Sequence, residues 1–264
     1  MEQMAYASYS RLQTYKSCRR LYELKYVYDI RFTEKIEALE RGTSYHEKVE
    51  QLLHGKDFEH DDAKTSAMAT AFQKYILPQL SPVAQEEWFE YYTDYGDKFV
   101  GRIDALNSDG AIIEHKTTSS EINEEYWYTR GIDEQLMTYM YAYKTRKAYY
   151  TVCRTPTIRQ KKGETEEEFY KRCVEWYDED TDSKIAMREI YHTDKEIEDF
   201  IIEQAFTIKE MNNCDLFYRN QSYCTKWGRM CEYAPICQHY DPNQEYVGFV
   251  KGEKEDGRSK VDFM

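Results

Sequence analysis

The tetrapeptide Asn107-Ser-Asp-Gly110 stands between two runs that read as β-strands, 98–107 and 111–117. Asn, Asp and Gly tolerate the backbone of a tight reversal, so the two runs are expected to fold back as a hairpin. A further strand is expected over 87–93. Side chains alternate along a strand, which puts Glu114 and Lys116 on one face. The neighbouring strand, through Gly101-Arg-Ile-Asp104, is expected to deliver Asp104 to the same place. Ile112 and Ile113 come just before Glu114, so the polar group sits against a core and not on a loop tip.

Around this hairpin the pattern is helical. Ser10 reads as the cap of a helix from Arg11 to about residue 27, with Leu12, Tyr15 and Tyr22 at helical spacing. Helices are expected over 37–53, 62–80, 133–144, 164–177 and 194–212, and strands over 148–154 and 185–191. This order predicts an α/β fold, a mixed sheet flanked by helices with a helical N-terminal arm. The expected organisation is one domain over residues 1–240 and a polar, loosely held tail over 241–264.

Composition narrows the class. At 41% hydrophobic and 16% aromatic residues the chain is not a disordered one. No apolar run approaches the roughly 20 residues of a membrane helix. Met1 to Ser10 lacks a basic-then-apolar leader pattern, so a soluble, cytoplasmic protein without a membrane partner is expected. The formal net charge of −13 argues at first against a nucleic-acid partner. Its distribution is uneven. Residues 144–162 hold seven basic side chains and no acidic one, whereas 164–182 hold nine acidic and two basic. The first stretch could follow a phosphate backbone or be an ordinary exposed strand and loop. The second reads as a solvated helix face.

Two carboxylates and an ammonium suit a hard divalent cation, since Mg²⁺ takes one or two carboxylates together with water and phosphate. Such a cation acidifies a water and neutralises charge on a scissile phosphate. A lysine beside it positions the water or offsets developing charge. The chemistry that fits is phosphodiester hydrolysis. The competing reading is a structural Glu–Lys pair on an exposed hairpin. Two more features bear on the choice. Gly42-Thr-Ser-Tyr-His46 lies on the second helix, where His46 is either a further ligand or a structural histidine. Gln135 and Tyr139, four apart, share a face of the helix that follows the hairpin.

In this order, a GxxxH helix, GRID, a hairpin to ExK and a helix with QxxxY, the chain resembles the RecB-like branch of the PD-(D/E)XK nucleases. That branch includes nuclease domains of recombination helicase–nucleases and CRISPR-associated adaptation exonucleases. The resemblance runs from about Ser10 to Cys237. It implies a restriction-endonuclease-like fold and a Mg²⁺- or Mn²⁺-dependent deoxyribonuclease. Metal ligands would be His46, Asp104 and Glu114, helped by the backbone carbonyl of His115. Lys116 would be catalytic, and Gln135 and Tyr139 would orient DNA or support the site.

The cysteines carry a second, separate resemblance. Seven thiols, an odd number, do not suggest a disulfide framework. Cys224, Cys231 and Cys237 are spaced C-x6-C-x5-C, which leaves one vacancy in a four-ligand centre. Cys18 is the candidate for it, in Ser10-x-Leu12-x-x-Tyr15-x-x-Cys18-x-x-x-Tyr22. That run resembles the N-terminal helix of iron–sulfur members of the same family, in which one early and three late cysteines bind a [4Fe–4S] cluster. The resemblance implies cluster elements at 10–26 and 214–240. The gap of six residues between Cys224 and Cys231 departs from the family's usual spacing. A structural zinc site, with His239 as an alternative fourth ligand, is the competing reading, although no C-x2-4-C knuckle is present. Cys153, Cys173 and Cys214 read as ordinary buried thiols.

The expected function is therefore hydrolysis of DNA, as an exonuclease on single-stranded or end-containing substrates, in recombination, repair or phage DNA metabolism. No GxxxxGK[ST] phosphate loop is present, so any unwinding would come from a helicase or recombination partner. A phage-encoded protein would work in the host-cell cytoplasm. Tyr126, Trp127 and Tyr128 are candidate base-stacking residues, or else packing residues. Two other functions compete: a DNA-binding or assembly subunit with a vestigial site, and a structure-specific endonuclease.

Overall fold

The computed structural model describes residues 6–34 and 36–252, with the backbone alone at Trp227. In chain order the first elements are α1 (Tyr9–Ser17), α2 (Arg19–Tyr22), β1 (Ile30–Phe32), α3 (Glu37–Leu53), α4 (Ala63–Ala71), β2 (Pro82–Gln85), β3 (Trp88–Tyr92), β4 (Lys98–Arg102), β5 (Ala105–Asn107) and β6 (Ile112–Thr118). Then come α5 (Glu124–Arg130), α6 (Glu134–Tyr143), β7 (Lys147–Arg154), α7 (Glu166–Glu179), β8 (Ile185–Tyr191), α8 (Asp194–Asn212), α9 (Gln221–Cys224), α10 (Ala234–Cys237) and β9 (Phe249–Lys251). The chain clusters into two units, one of Ile36–Phe89 with Arg102–Ile201, the other of the remaining described residues.

The first unit is a five-stranded mixed sheet flanked by helices, in the order β2-β5-β6-β7-β8. β6 and β7 run parallel, with Glu114 opposite Tyr150 and Lys116 opposite Val152. The neighbouring pairs are antiparallel. A central strand is covered on both faces, and β6 is accordingly buried from Ile112 through His115. Alternation sends its two isoleucines to different cores. Ile113 packs with Tyr45 and Val49 of α3, Ala67 of α4 and Trp176 of α7. Ile112 packs with Leu136 and Met140 of α6 and Trp127 of α5. Full burial of each such side chain contributes about 1.5–3 kcal/mol.

The sequence expectation of an α/β fold with a mixed sheet holds, and α3 has the expected bounds. The stretch 98–107 differs, because it is two strands and not one. β4 pairs with β3, while β5 pairs with β2 and β6. The break falls at Ile103 and Asp104, so Asp104 lies in a bend and not on a paired strand. There the backbone bonds to the preceding connection: Ile103 N–H donates to Glu87 O at 3.1 Å, and Glu86 N–H to Asp104 O at 2.9 Å. Glu86 itself has φ +51°, a turn conformation. β2 and α5 were not expected from the sequence, since each is short and β2 begins at a proline that reads as a helix stop.

In the second unit the N-terminal helix begins earlier than the sequence suggests, and Ser8, not Ser10, caps it. It is also interrupted at Cys18, which is extended (φ −161°, ψ 111°). The break frees the next turn to bond elsewhere, and Arg20 N–H donates to Tyr218 O at 3.1 Å. Leu24, Ile30, Tyr233 and Ile236 form a small core. Part of the segment expected to be a loose tail is held, because β9 pairs antiparallel with β1. Residues 253–264 of that tail lie outside the described residues. No described helix is long and apolar enough to cross a membrane.

Candidate active site

Strand alternation puts Glu114 and Lys116 on the α6 face of β6, and the Lys116 ammonium pairs with Glu114 Oε1. Asp133 caps α6 by accepting from Gln135 N–H at 2.9 Å, which fixes the first turn of that helix over the strand. Gln135 Oε1 then accepts from Lys116 Nζ at 2.7 Å, and Gln135 Nε2 donates to Tyr139 OH at 2.7 Å. The i, i+4 pair read from sequence is thus one hydrogen-bonded chain ending on the lysine. Asp104 is held from two sides. Its Oδ2 accepts from His115 N–H at 2.8 Å, and its Oδ1 lies 3.6 Å from His46 Nδ1 on α3.

Electrostatics separate the two carboxyls. Burial alone would raise Asp104, but His46, His115 and Lys116 outweigh it and hold the carboxyl below its ordinary range. Burial pushes Glu114 up to about 8, against the pull of Lys116 and with the repulsion of Asp104. Glu114 is 2% exposed, and its Oε2 has no hydrogen-bond partner among the described residues. Burial would lower His46, yet Asp104 raises it. Lys116 is raised by Glu114 and Asp104 in spite of burial.

Among the described residues no group of three or more His, Cys, Asp or Glu side chains is placed to hold a metal ion. His46 is engaged by Asp104 and Glu114 by Lys116. The His115 imidazole lies on the face of β6 opposite Glu114; the contribution expected of this residue is that of its backbone carbonyl. The ring packs against Phe72 with ring centres 5.1 Å apart, and its Nδ1 is 2.7 Å from Thr151 Oγ1. Burial lowers it to about 4, so it is neutral near pH 7. The donor chemistry still fits a hard cation: two oxygen-bearing side chains, one with a buried oxygen lacking a partner.

Sequence reasoning missed two contributors. Thr151 of β7 bridges the His115 ring and, at 3.3 Å, the Glu114 carbonyl. Only the parallel register could have found it. Glu86, paired with Arg102 at 2.7 Å, is a further carboxylate close enough to feel Asp104 and His46. Of the candidate stacking residues, Trp127 is core, with its ring centre 6.0 Å from that of Tyr150. Tyr126 is half-buried, and Tyr128 is 81% exposed.

The four cysteines expected to bind a cluster all fall in the second unit. They are not gathered into a metal-holding group. Instead they bond locally. Cys18 Sγ accepts from Asn220 N–H at 3.4 Å, and Cys224 Sγ donates to Asn220 O at 3.6 Å. Cys231 N–H donates to Cys224 O at 2.8 Å, and Cys231 lies within electrostatic reach of Cys18 and Cys224. Cys153, Cys173 and Cys214 are buried, as expected.

The sequence pattern of the PD-(D/E)XK nuclease superfamily matches the chain over residues 6–82 and 62–238. The chain belongs to this superfamily, and the mixed sheet with Asp104, Glu114 and Lys116 at its centre is in keeping with that membership. A protein from Eubacterium rectale described as a candidate exonuclease is similar in structure, with 9% identity over 92% of this chain and 91% of that one (TM-score 0.54). The protein SSO0001 is similar at 15% identity over 90% and 88% (TM-score 0.50). An alkaline exonuclease from Laribacter hongkongensis matches at 14% identity over 79% and 89%, with a TM-score of 0.38. No curated protein matches the sequence significantly.

Proposed function

We propose that the protein is a Mg²⁺- or Mn²⁺-dependent deoxyribonuclease of the RecB-like branch, acting as an exonuclease on single-stranded or end-containing DNA in recombination, repair or phage DNA metabolism. One observation carries the reading. Glu114 is a buried carboxyl group with an oxygen lacking a hydrogen-bond partner among the described residues, beside the Lys116 ammonium, in the ExK pattern read from the sequence. The description of the Eubacterium rectale protein as a candidate exonuclease points the same way.

In this reading Asp104 and Glu114 would hold the cation, with His46 and the carbonyl of His115. When bound, the cation neutralises charge on the scissile phosphate and acidifies the attacking water. Lys116 orients that water and offsets negative charge as it develops. Gln135 keeps the ammonium aimed, and Tyr139 keeps Gln135 in place. DNA cleavage with Mn²⁺ by wild type, lost in Glu114→Ala, is the expected result. No cleavage by wild type on any single- or double-stranded substrate sinks the proposal. Digestion of linear but not closed circular DNA identifies the exonuclease.

A [4Fe–4S] cluster on Cys18, Cys224, Cys231 and Cys237 is the second part of the proposal. It is supported by the resemblance of the cysteine pattern and by the common surroundings of Cys18 and Cys224 at Asn220. The cluster would be structural, pinning the N-terminal helix to the C-terminal end and closing a long loop. Protein purified without air should be brown and contain iron; Cys18→Ala should lose the colour. Zinc without iron, or full absorbance in Cys18→Ala, overturns it.

A further inference from the structure

We propose that the loop over residues 155–164 is a phosphate-binding surface for a single DNA strand running past the carboxyl end of β6 and β7; the proposal rests on the nuclease reading above. The sequence shows seven basic residues over 144–162 but not which of them are available. Three are engaged. Arg146 pairs with Asp194, Lys147 with Asp109, and Arg154 lies over the Trp176 ring at 5.8 Å. Lys144 stands before β7, at the opposite end from the loop. Arg159, Lys161 and Lys162 remain, all exposed and all without an ion pair among the described residues.

The loop is built to present them. Thr155 N–H donates to Thr118 O at 2.8 Å, so the loop leaves the sheet beside the end of the strand that carries Lys116. Pro156 is buried, and Ile158 packs on the core under α4 and α7. Arg172 of α7 closes the far side. It donates to both Glu164 oxygens, at 2.7 and 2.8 Å, and to Arg159 O at 2.8 Å. Glu164 Oε2 also accepts from Lys161 N–H at 2.7 Å. The loop's acidic residue is thereby turned inward and neutralised, while its three cations face solvent.

In a chain with a net charge of −13, the loop's three exposed cations, set against its one paired carboxylate, have the sign complementary to a phosphate backbone. At most about 14 Å of extended chain separates Thr155 from Arg159. The contacts therefore fall a few nucleotides from the scissile bond. The loop sets how a strand is gripped, not the chemistry performed on it.

The test is binding of fluorescein-labelled 30-nucleotide oligo(dT) in EDTA, which needs no cleavage, across a series of salt concentrations. Each phosphate contact to a single strand contributes about 0.7 to the slope of log K against log salt, so R159Q/K161Q/K162Q should lower the slope by about 2. A control, K56Q/K195Q/K209Q, removes the same charge from exposed lysines elsewhere and should leave the slope unchanged. Circular dichroism and Tm should match wild type for both. An unchanged slope in the loop variant, or an equal fall in the control, overturns the proposal. A wild type that binds with the expected slope but never cleaves DNA refutes the nuclease reading and not the loop.

Discussion

Glu114 and Gln135 show how a single side chain is made useful by its neighbours. Gln135 spends both ends of its amide, one on the Lys116 ammonium and one on Tyr139. Gln135→Leu keeps the volume and removes both bonds. A hydrogen bond to a charged group contributes about 1.5–3 kcal/mol, so a ten- to hundredfold fall in the single-turnover rate is expected. Tm should fall little, because the amide is only half-buried. A fall in Tm without a fall in rate would make Gln135 merely structural. That Glu114 and Lys116 share a face was legible in the sequence, because pleat alternation is local; the place of Asp104, in a bend between two strands, was not. The capture of His46 by Asp104, and of the His115 ring by Thr151, was not either. Both depend on which element packs or pairs alongside, and residue spacing does not carry that information.

At the scale of elements, the caps and clasps decide where functional residues stand. Asp133→Ala removes the α6 cap and should cost about 1 kcal/mol of stability, read as a shift in the urea midpoint. Because that cap also positions Gln135, the rate should fall with it. The clasp of the basic loop gives a pH dependence. Arg172, the Lys161 backbone N–H and nearby charge hold Glu164 at about 2, below its ordinary 4.5. A depressed carboxyl adds stability above its unfolded value, and this is lost as pH falls through the folded one. Wild type should therefore lose its Tm advantage over Glu164→Gln between about pH 4.5 and pH 2. Parallel Tm curves down to pH 2 would show that the clasp adds nothing. Helix α3 was readable end to end, since its apolar spacing is strong. The bend at Asp104 and the break at Cys18 were not, because both are fixed by backbone partners distant in sequence.

At the scale of the molecule, the sheet unit depends on β6 as a wall shared by two cores. Ile113→Ala should destabilise the protein by about 2–5 kcal/mol in denaturant unfolding, as a large-to-small change in a packed interior does. A loss under 1 kcal/mol would mean that the α3, α4 and α7 layer collapses readily onto the gap. The layered architecture was legible from the succession of helical and strand periods. The sheet order was less so, because one run of ten residues, 98–107, is shared between two sheets.

The pleat of β6 also gives the site a parity. Deleting one residue from the turn before Ile112, or inserting one, could be absorbed by sliding the strand a single step. That step would send Glu114 and Lys116 into the aliphatic layer and bring the neutral His115 ring round to the catalytic side. A change of two residues would keep the faces and shift only the reach. Length variants of the Asn107–Gly110 turn should therefore alternate between dead and recoverable enzymes, odd against even, which few substitutions at single positions would reveal.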